Sequence, residues 1–376
     1  MRDLMELRQE IDKLDGGIVE LYEKRMLLAA EVAEYKISTG KPVFDRARER
    51  AKLEALEAVA KDSFMRHGLR ELFEQIMSTS RKKQYQLLTE HGITETQDFT
   101  EVDKLDFSGA RIVFQGVEGA YSQQAMKAFF GEDCNGRQVE TWKDAMEAIK
   151  SGEADYAVLP IENSSAGIVS ENYDLLVAYD NYIVGEQIIK IDHALLALPE
   201  AELKDITCVY SHPQGLMQCG AYLEKHREFE KISLKNTAES AKKVKDEGQK
   251  HQAAIASSLT AGIYGLKVLE RGISNNPDNS TRFIIVTGKK VYEKSSGRIS
   301  ICFEVPHESG SLYHMLSHFI YNGLNMTNIQ SRPIPGRNWE YRFFIDFEGR
   351  FTDTAVVNAL RGLREETIAL KILGTY

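Results

Sequence analysis

The chain has 376 residues, which at about 150 residues per domain predicts two or three domains. Its 43% apolar and 27% charged residues are typical of a globular protein, and 8 prolines are too few for a disordered, proline-rich chain. The formal net charge of −9 argues against a general nucleic-acid binder and against a protein that adheres to anionic membranes.

The charge is unevenly distributed along the chain. Residues 1–91 hold 17 Lys/Arg and 17 Asp/Glu, whereas residues 92–108 hold one Lys and five acidic residues. Four scattered cysteines without C-x-x-C spacing predict reduced thiols in the cytoplasm and no metal site. The charged N-terminus is unlike a targeting peptide, and no apolar run reaches the length of about 18 residues that a membrane helix needs.

Residues 1–91 have the pattern of an all-helical segment. Apolar residues at alternating three- and four-residue steps predict a first helix of roughly 35 residues that ends at residues 38–42. A second helix is expected near Asp45 and a third from Phe64 to Leu88. Three helices, one of them very long, cannot close a core alone, so we expect the long helix to pack against a second copy of the chain.

Arg25 interrupts the apolar row of the first helix. A charge on such a face is costly unless it is paired, so the simple alternative is a buried salt bridge. Lys36 lies on the same face about 16 Å further along, whereas Arg8 lies about 25 Å from Arg25. One small ligand could therefore contact Arg8 and Arg25 only if a partner helix supplied Arg8.

Further polar residues follow on the next two helices. Asp45, Arg48 and Glu49 open the second helix, where a solvated capping turn is the alternative reading. Ser80 and Gln84 lie one turn apart on the third. Together with L-R-x-x-I-D-x-L-D at residues 7–15 and P-V-x-D-x-x-R-E at residues 42–49, this pattern resembles the all-helical chorismate mutases.

The resemblance implies a role for each of these residues. It assigns four to the two substrate carboxylates: Arg8 of a second chain, Arg25, Arg48 and Ser80. Glu49 and the Asp45 backbone would bind the substrate hydroxyl, and Lys36 and Gln84 the ether oxygen. The rearrangement of chorismate to prephenate is pericyclic, so it needs a folded dianion and well-placed donors but no cofactor or metal.

Residues 92–108 are polar and acidic and are interpreted as a linker. From residue 110 onward short β-rich runs alternate with helical stretches, with strands expected at residues 111–115, 156–159, 208–210 and 253–255. Ligands of such α/β folds bind beyond the carboxyl ends of the strands, so the loops there are the expected site. The fingerprints of dinucleotide and nucleotide triphosphate binding are absent from the sequence.

The loops at residues 116–122, 160–167, 211–214 and 236–241, followed by Thr281-Arg282-Phe283, resemble prephenate dehydratase over residues 110–288. The resemblance implies two α/β lobes around a cleft, similar to periplasmic binding proteins. Thr281 would assist departure of the substrate hydroxyl, and the site would be lined by Asn163, Ser211 and Gln218. Arg282 would anchor a carboxylate, or alternatively form a structural ion pair. His212 is interpreted as a turn residue before Pro213.

Residues 297–376 follow the order strand, helix, strand, strand, helix, strand, which predicts a ferredoxin-like α+β unit. They resemble the ACT regulatory domain that binds phenylalanine in prephenate dehydratases. The implied effector residues are Gly310, Ser311, Leu312, Ser331 and Arg332. Tyr313 and Gln330 depart from the usual motif, and a purely dimerising domain is the alternative.

Together the three resemblances imply a cytoplasmic, bifunctional chorismate mutase–prephenate dehydratase with a phenylalanine-sensing domain, in domains 1–91, 109–288 and 297–376. We expect a homodimer or larger homo-oligomer, no cofactor, and no nucleic-acid or membrane partner. Two alternatives stay open at this point. One is a monofunctional dehydratase with a dimerising helical segment, and the other is a sensor without turnover.

Overall fold

The computed structural model describes residues 2–93 and 98–376, and the chain divides into two compact units. The first unit joins residues 1–97 to residues 301–371, and the second comprises residues 98–300 with residues 372–376. The N-terminal helices and most of the C-terminal segment therefore belong to one unit, although about 200 residues of sequence separate them.

The N-terminal segment consists of helices α1 (Leu4–Thr39), α2 (Arg46–Ala58) and α3 (Ser63–Glu90). Each begins after an aspartate whose carboxylate accepts a backbone N–H, namely Asp3, Asp45 and Asp62. Gly40 ends α1 in the left-handed conformation, at φ 67°. The predicted long first helix and its end are confirmed.

One face of α1 is apolar and uncovered in the single chain. Every residue from Leu4 to Leu21 is exposed, and the buried residues of α1 are Ala29 and Ala33. The side chains that form this face, which we call the α1 stripe, are Leu4, Leu7, Ile11, Leu14, Ile18, Leu21, Leu28, Val32 and Tyr35. Monomeric proteins rarely expose so long a contiguous apolar surface.

The second unit is α/β. Its elements are β1 (Thr100–Val102), β2 (Ile112–Gln115), α4 (Tyr121–Phe130), β3 (Gly136–Val139), α5 (Trp142–Lys150), β4 (Tyr156–Asn163), β5 (Gly167–Ile168), α6 (Ser170–Ala178), β6 (Tyr182–Lys190), β7 (His193–Ala197), β8 (Cys208–Ser211), α7 (Pro213–Gln218), α8 (Gly220–Lys225), β9 (Glu230–Ser233), α9 (Thr237–Glu247), β10 (Gln252–Ser257), α10 (Ser258–Tyr264), β11 (Lys267–Glu270), β12 (Ser280–Thr287) and β13 (Val291–Glu293). A short 3₁₀ turn, Leu203–Asp205, precedes β8.

These elements form two lobes, each around its own sheet. In the first lobe the strand order is β3-β2-β4-β12-β6, with β5 beside β4. In the second it is β11-β7-β10-β8-β9, and β7, β8 and β10 are buried along their whole length. The chain crosses between lobes after β6 and again before β12, so residues near these crossings lie at the boundary of the lobes. This architecture confirms the α/β prediction.

The C-terminal segment contains β14 (Arg298–Glu304), α11 (Ser311–Tyr321), β15 (Met326–Pro333), β16 (Tyr341–Glu348), α12 (Thr354–Glu366) and β17 (Ala369–Thr375). The strand order is β15-β16-β14-β17. Helix α12 buries Val356, Ala359, Leu360 and Leu363, which follow helical spacing, and it packs against α3.

Residues 92–108 were interpreted as a linker, but residues 98–108 are structured. Residues 94–97 lie outside the described residues. Residues 100–102 form β1, which pairs in parallel with β13. Leu105 is buried, and the ring of Phe107 contacts Phe129, Phe130 and Tyr156. Sparse apolar residues thus suffice to anchor an acidic segment. In the described parts of the chain, every helix is too short or too polar to cross a bilayer.

Candidate functional site

Arg25, the charge on the apolar row of α1, lies against α3. Its guanidinium donates to Oγ of Ser80 and, at 3.5 Å, to the carbonyl of Ile76. The Ser80 hydroxyl donates to the same carbonyl at 2.8 Å. Burial lowers the pKa of Arg25, against the opposing charges of Glu49 and Tyr22. A partly desolvated guanidinium of this kind is suited to bind a carboxylate.

Lys36 and Gln84 form a second pair between α1 and α3. The Lys36 ammonium donates to the carbonyl of Val43 at 2.6 Å and to Oε1 of Gln84 at 3.2 Å. Because Oε1 accepts, the Nε2 group of the buried Gln84 remains as a donor. Burial lowers the pKa of Lys36, while Glu365 and Glu49 oppose that shift. Two N–H donors therefore lie side by side.

The residues at the start of α2 have different roles, some structural and some in the candidate site. Asp45 caps the helix, accepting the N–H of Arg48 at 3.0 Å, so the capping reading holds for its side chain. The Arg48 side chain is exposed. Glu49 is half-buried, and its carboxylate accepts from Arg81 of α3.

Arg81 was missed in the sequence, although a signal for it exists. Met77, Arg81 and Tyr85 form one row on α3, and all three are buried, so Arg81 stands where an apolar residue is expected. The same reasoning that singled out Arg25 applies. Burial opposes the Arg81 charge, but Glu366 and then Glu49 outweigh it and raise the pKa of Arg81.

Arg8 is not brought to this group. It lies on the exposed first half of α1, and 17 residues of helix separate it from Arg25, or about 25 Å. A single chain therefore contributes Arg25, Lys36, Glu49 and Gln84 without Arg8.

In the second unit Thr281 and Asn163 face each other on β12 and β4. Nδ2 of Asn163 donates to Oγ1 of Thr281 at 2.9 Å and to the Ser280 carbonyl at 3.2 Å. Oδ1 of Asn163 accepts the backbone N–H groups of Ser165 and Ala166 at 3.0 and 2.8 Å. These bonds fix the orientation of the amide. Since Thr281 accepts from Asn163, its own hydroxyl hydrogen is free to donate.

Three more residues extend this contact into a directional chain. Gln218 donates through Nε2 to Oδ1 of Asn163 at 3.4 Å, and its Oε1 lies 2.9 Å from Nε2 of His193. Nδ1 of His193 lies 3.3 Å from the Tyr121 hydroxyl. Burial lowers the pKa of His193, which favours a neutral ring. Such a ring accepts from Tyr121 and donates to Gln218, so all the donors run in one direction, toward Thr281.

Other residues predicted for this site have different partners. The fully buried Ser211 donates to the Ile255 carbonyl at 2.8 Å, inside the second lobe. Arg282 neighbours Thr281 on a strand, where successive side chains alternate, and it pairs with Glu162 and Glu186 at 3.5 Å each. The structure thus favours the ion-pair alternative for Arg282. His212 caps α7, with Nδ1 accepting from the N–H of Gln214, which confirms its interpretation as a turn residue.

Tyr121 and His193 were not predicted as site residues. Tyr121 follows a glycine-containing loop, and His193 begins a buried apolar strand, where a histidine is unusual. A polar residue at that position is the signal that could have identified His193.

The C-terminal segment contains a cavity of about 350 Å³ at the start of α11. Ser311 and Leu312 line it together with residues that include His307, Glu308, Glu340 and Tyr341. Gly310 precedes α11 with φ 82°. Ser331 and Arg332 lie on β15 opposite Phe343 and Arg342 and are not among its lining residues. Of the five predicted effector residues, Ser311 and Leu312 therefore line the cavity, and the other three do not.

Two segments of the chain, the N-terminal helices and the α/β unit, match known protein families. A family model described as chorismate mutase type II matches residues 7–85, and one described as prephenate dehydratase matches residues 112–291. A curated bifunctional chorismate mutase/prephenate dehydratase from Escherichia coli (strain K12) is 33% identical over 380 residues, covering 99% of this chain and 96% of that protein. In the described ranges, no group of three or more His, Cys, Asp or Glu residues could bind a metal ion.

Two solved structures resemble the chain over 71% of its length. The prephenate dehydratase of Arthrobacter aurescens in complex with L-Phe has a TM-score of 0.66 and 31% identity, with 89% of that chain covered. A protein described as a novel type of quorum-quenching acylase, GqqA, has a TM-score of 0.65 and 30% identity, with 97% covered. Proteins with this fold are thus described as having different activities. The function of the chain has to be argued from the side chains of its site.

Proposed function

Because the chain belongs to the family of bifunctional chorismate mutase/prephenate dehydratases, we propose which residues perform each of its two reactions. The enzyme rearranges chorismate to prephenate and converts prephenate to phenylpyruvate. The alternatives of a monofunctional dehydratase and of a sensor without turnover are set aside, since relatives with both activities match the whole chain.

For the mutase reaction, Arg25 with Ser80, Arg48 and the Arg8 of a second chain bind the two carboxylates. Lys36 and Gln84 donate to the ether oxygen, where negative charge grows as the C–O bond breaks. The observation that carries this assignment is the Lys36–Gln84 pair, because it leaves an ammonium and an amide N–H available at one place. Glu49 and the Asp45 backbone bind the substrate hydroxyl.

For the dehydratase reaction, Thr281 donates a hydrogen bond to the departing hydroxyl of prephenate. Loss of CO₂ and of that hydroxyl is driven by aromatisation of the ring, so a donor to the leaving oxygen is the main chemical requirement. Support comes from the donor chain that ends at Thr281, because it leaves the Thr281 hydrogen free and polarises the hydroxyl. Asn163 and Gln218 position Thr281. Ser211 has no proposed contact with the substrate, because its buried hydroxyl donates to the Ile255 carbonyl.

A second copy of the chain completes the mutase site. The α1 stripe is unpartnered over its whole length, and Arg8 lies within the same exposed half-helix. An antiparallel α1 from another chain covers the stripe and brings its Arg8 toward Arg25. The assembly is therefore at least a homodimer. We assign the enzyme to the cytoplasm, a location compatible with its four free thiols.

Residues 297–376 form an ACT-type, ferredoxin-like domain that binds phenylalanine at the start of α11. The element order and the strand order β15-β16-β14-β17 support this fold. Ser311 and Leu312 at the cavity support the site, and the L-Phe complex of the Arthrobacter aurescens relative supports the ligand. Ser331 and Arg332 are assigned to the same function from the resemblance alone.

Variants in each site test the residue assignments separately. Lys36→Ala is expected to abolish prephenate formation and to leave dehydratase turnover of added prephenate intact. Thr281→Ala is expected to abolish dehydratase turnover of prephenate and to leave prephenate formation from chorismate intact. Tyr121→Phe removes the first donor of the chain but not the last, so we expect a several-fold loss of dehydratase kcat only. Both rates are measured on the same preparation, with chorismate or prephenate as substrate.

The bifunctional chain is its own folding control in this experiment, because each variant keeps one activity as a reference. Near-normal mutase kcat in Lys36→Ala would refute the assignment of the ether-oxygen donors. Loss of both activities in Thr281→Ala would refute separate sites.

A further inference from the structure

A buried row of charges joins the C-terminal helix α12 to the helical segment. Arg81 of α3 lies between Glu366 at the end of α12 and Glu49 on α2. Nε and Nη2 of Arg81 donate to the two carboxylate oxygens of Glu366 at 2.8 and 2.9 Å. The remaining nitrogen, Nη1, donates to Glu49. The Arg81 and Glu366 side chains are only 8% and 4% exposed.

The geometry makes Glu366 the residue that orients the guanidinium. A two-point contact fixes the plane of Arg81, whereas the single contact with Glu49 leaves rotation free. Phe44 stacks on the guanidinium at 4.8 Å and restricts it further. The direction in which Nη1 points, and with it the place where the Glu49 carboxylate is held, therefore depends on Glu366.

Glu366 also lies close to His318 of α11. Nε2 of His318 lies 3.2 Å from Oε1 of Glu366, and the His318 side chain is 1% exposed. Gly362 permits this contact, because a Cβ there would lie 2.3 Å from Cε1 of His318. A glycine inside a helix costs about 1 kcal/mol relative to alanine, so its place in α12 indicates a need for close approach.

The neighbouring residue Glu365 also links the end of α12 to the N-terminal helices. Glu365 accepts the backbone N–H of Phe44 at 2.8 Å and the Tyr85 hydroxyl at 3.1 Å. The segment between α1 and α2, which leads into Asp45 and Glu49, is thus attached to the end of α12 at a second point. Both contacts come from the two last residues of one C-terminal helix.

We propose that Glu366 is a positioning residue of the mutase reaction, which holds Glu49 in place through Arg81. The proposal rests on the proposed role of Glu49 in binding the chorismate hydroxyl. Without the Glu366 carboxylate, Glu49 is the one carboxylate left to the buried Arg81 among the contacts described above, and Arg81 turns fully toward it. Glu49 is then withdrawn from the substrate. The C-terminal segment in this way completes a site whose known chemistry is located in the N-terminal helices.

The test is Glu366→Gln, which keeps the shape of the side chain and removes its charge. We expect mutase kcat/KM to fall about 10- to 100-fold, chiefly through KM, because misplacement of a binding group by about 1 Å has an effect of this size. Dehydratase kcat/KM should stay within twofold. Glu304→Gln is the matched control, since Glu304 is paired with Arg337 and Arg342 in the same C-terminal segment. We expect both of its activities to be normal.

Gly362→Ala provides a second route if Glu366→Gln does not accumulate as a folded chain, because the new Cβ displaces His318 and not the carboxylate. A several-fold rise in mutase KM with normal dehydratase turnover is expected. Unchanged mutase kinetics in the folded variant, or an equal loss of both activities, overturns the proposal.

A double-mutant cycle separates this proposal from the assignment of Glu49. If Glu366 acts through Glu49, Glu49→Gln with Glu366→Gln is no slower than Glu49→Gln alone. Additive losses overturn the positioning role while leaving Glu49 as a substrate contact. Normal mutase activity in Glu49→Gln refutes the assignment of Glu49 and, with it, the proposal.

Discussion

Truncation of one side chain in the α1 stripe tests whether a second chain completes the mutase site. Leu21 lies in the middle of the stripe and is 69% exposed in the single chain. Leu21→Ala removes most of the apolar surface of this one side chain and adds no charge. It leaves the helix intact, because alanine has the highest helix propensity.

The magnitude follows from the exposed fraction. Full burial of a leucine side chain contributes about 1.5–3 kcal/mol, so covering the 69% that is exposed contributes about 1–2 kcal/mol per chain. In a two-fold dimer the substitution acts twice and weakens association by about 2–4 kcal/mol. The dimer dissociation constant is expected to rise roughly 30- to 700-fold.

Sedimentation gives the dissociation constant, and mutase specific activity over a dilution series gives its functional counterpart. We expect the dilution at which mutase activity is half lost to move with the dissociation constant, since the proposed mutase site includes Arg8 of a second chain. Dehydratase activity should change less, because Thr281 and its donor chain lie within one chain.

Leu27→Ala is the control for this experiment. Leu27 is 68% exposed on the same helix but lies about 120° around the axis from Leu21. An unchanged dissociation constant in Leu21→Ala, or an equal change in both variants, would contradict the proposed interface. Mutase activity that is independent of dilution would contradict the role of Arg8.

Two further predictions concern the Lys36 ammonium and the cavity at α11. Burial lowers the pKa of Lys36 below its ordinary value of 10.5, and only the protonated form is a positively charged donor, so mutase kcat/KM should fall with rising pH at a pKa below 10.5. The pH–rate profile checks this, and an alkaline limb that persists unchanged in Lys36→Arg would assign it to another group. Titration calorimetry with phenylalanine should give binding heat that Leu312→Trp abolishes, whereas absence of heat with the native chain favours a purely dimerising domain.

Local patterns predicted the helices and the charged residues within them. The repeat of apolar residues predicts α1, and the charge that interrupts the repeat singles out Arg25, whose guanidinium donates to Ser80. The strand predicted at residues 156–159 extends to Asn163, and Asn163 and Thr281, which the family resemblance assigned to one site, pair across β4 and β12. For Arg25 the signal lies within the residue's own helix, and the periodicity of that helix indicates it.

Contacts between distant segments were not predictable in this way. Arg81 and Glu366 are 285 positions apart, and each carries only a weak sign of its burial, a charge on an apolar helical row. Residues 98–108 were interpreted from composition, but Leu105 and Phe107 are anchored by partners elsewhere in the second unit. Pairing over such distances depends on tertiary packing, which a single sequence does not reveal.

Helix α11 lies at the cavity with its first turn and close to Glu366 with its third turn, and this placement has a thermodynamic consequence under the proposed role of Glu366. Its first turn lines the cavity, and its third turn carries His318, about 10 Å further along the same rigid rod. If Glu366 has the proposed positioning role, a ligand that favours one position of α11 is expected to act on the Glu366–Arg81 pair through His318. Because binding free energies are coupled reciprocally, chorismate must change the affinity for that ligand by the same factor by which the ligand changes the affinity for chorismate.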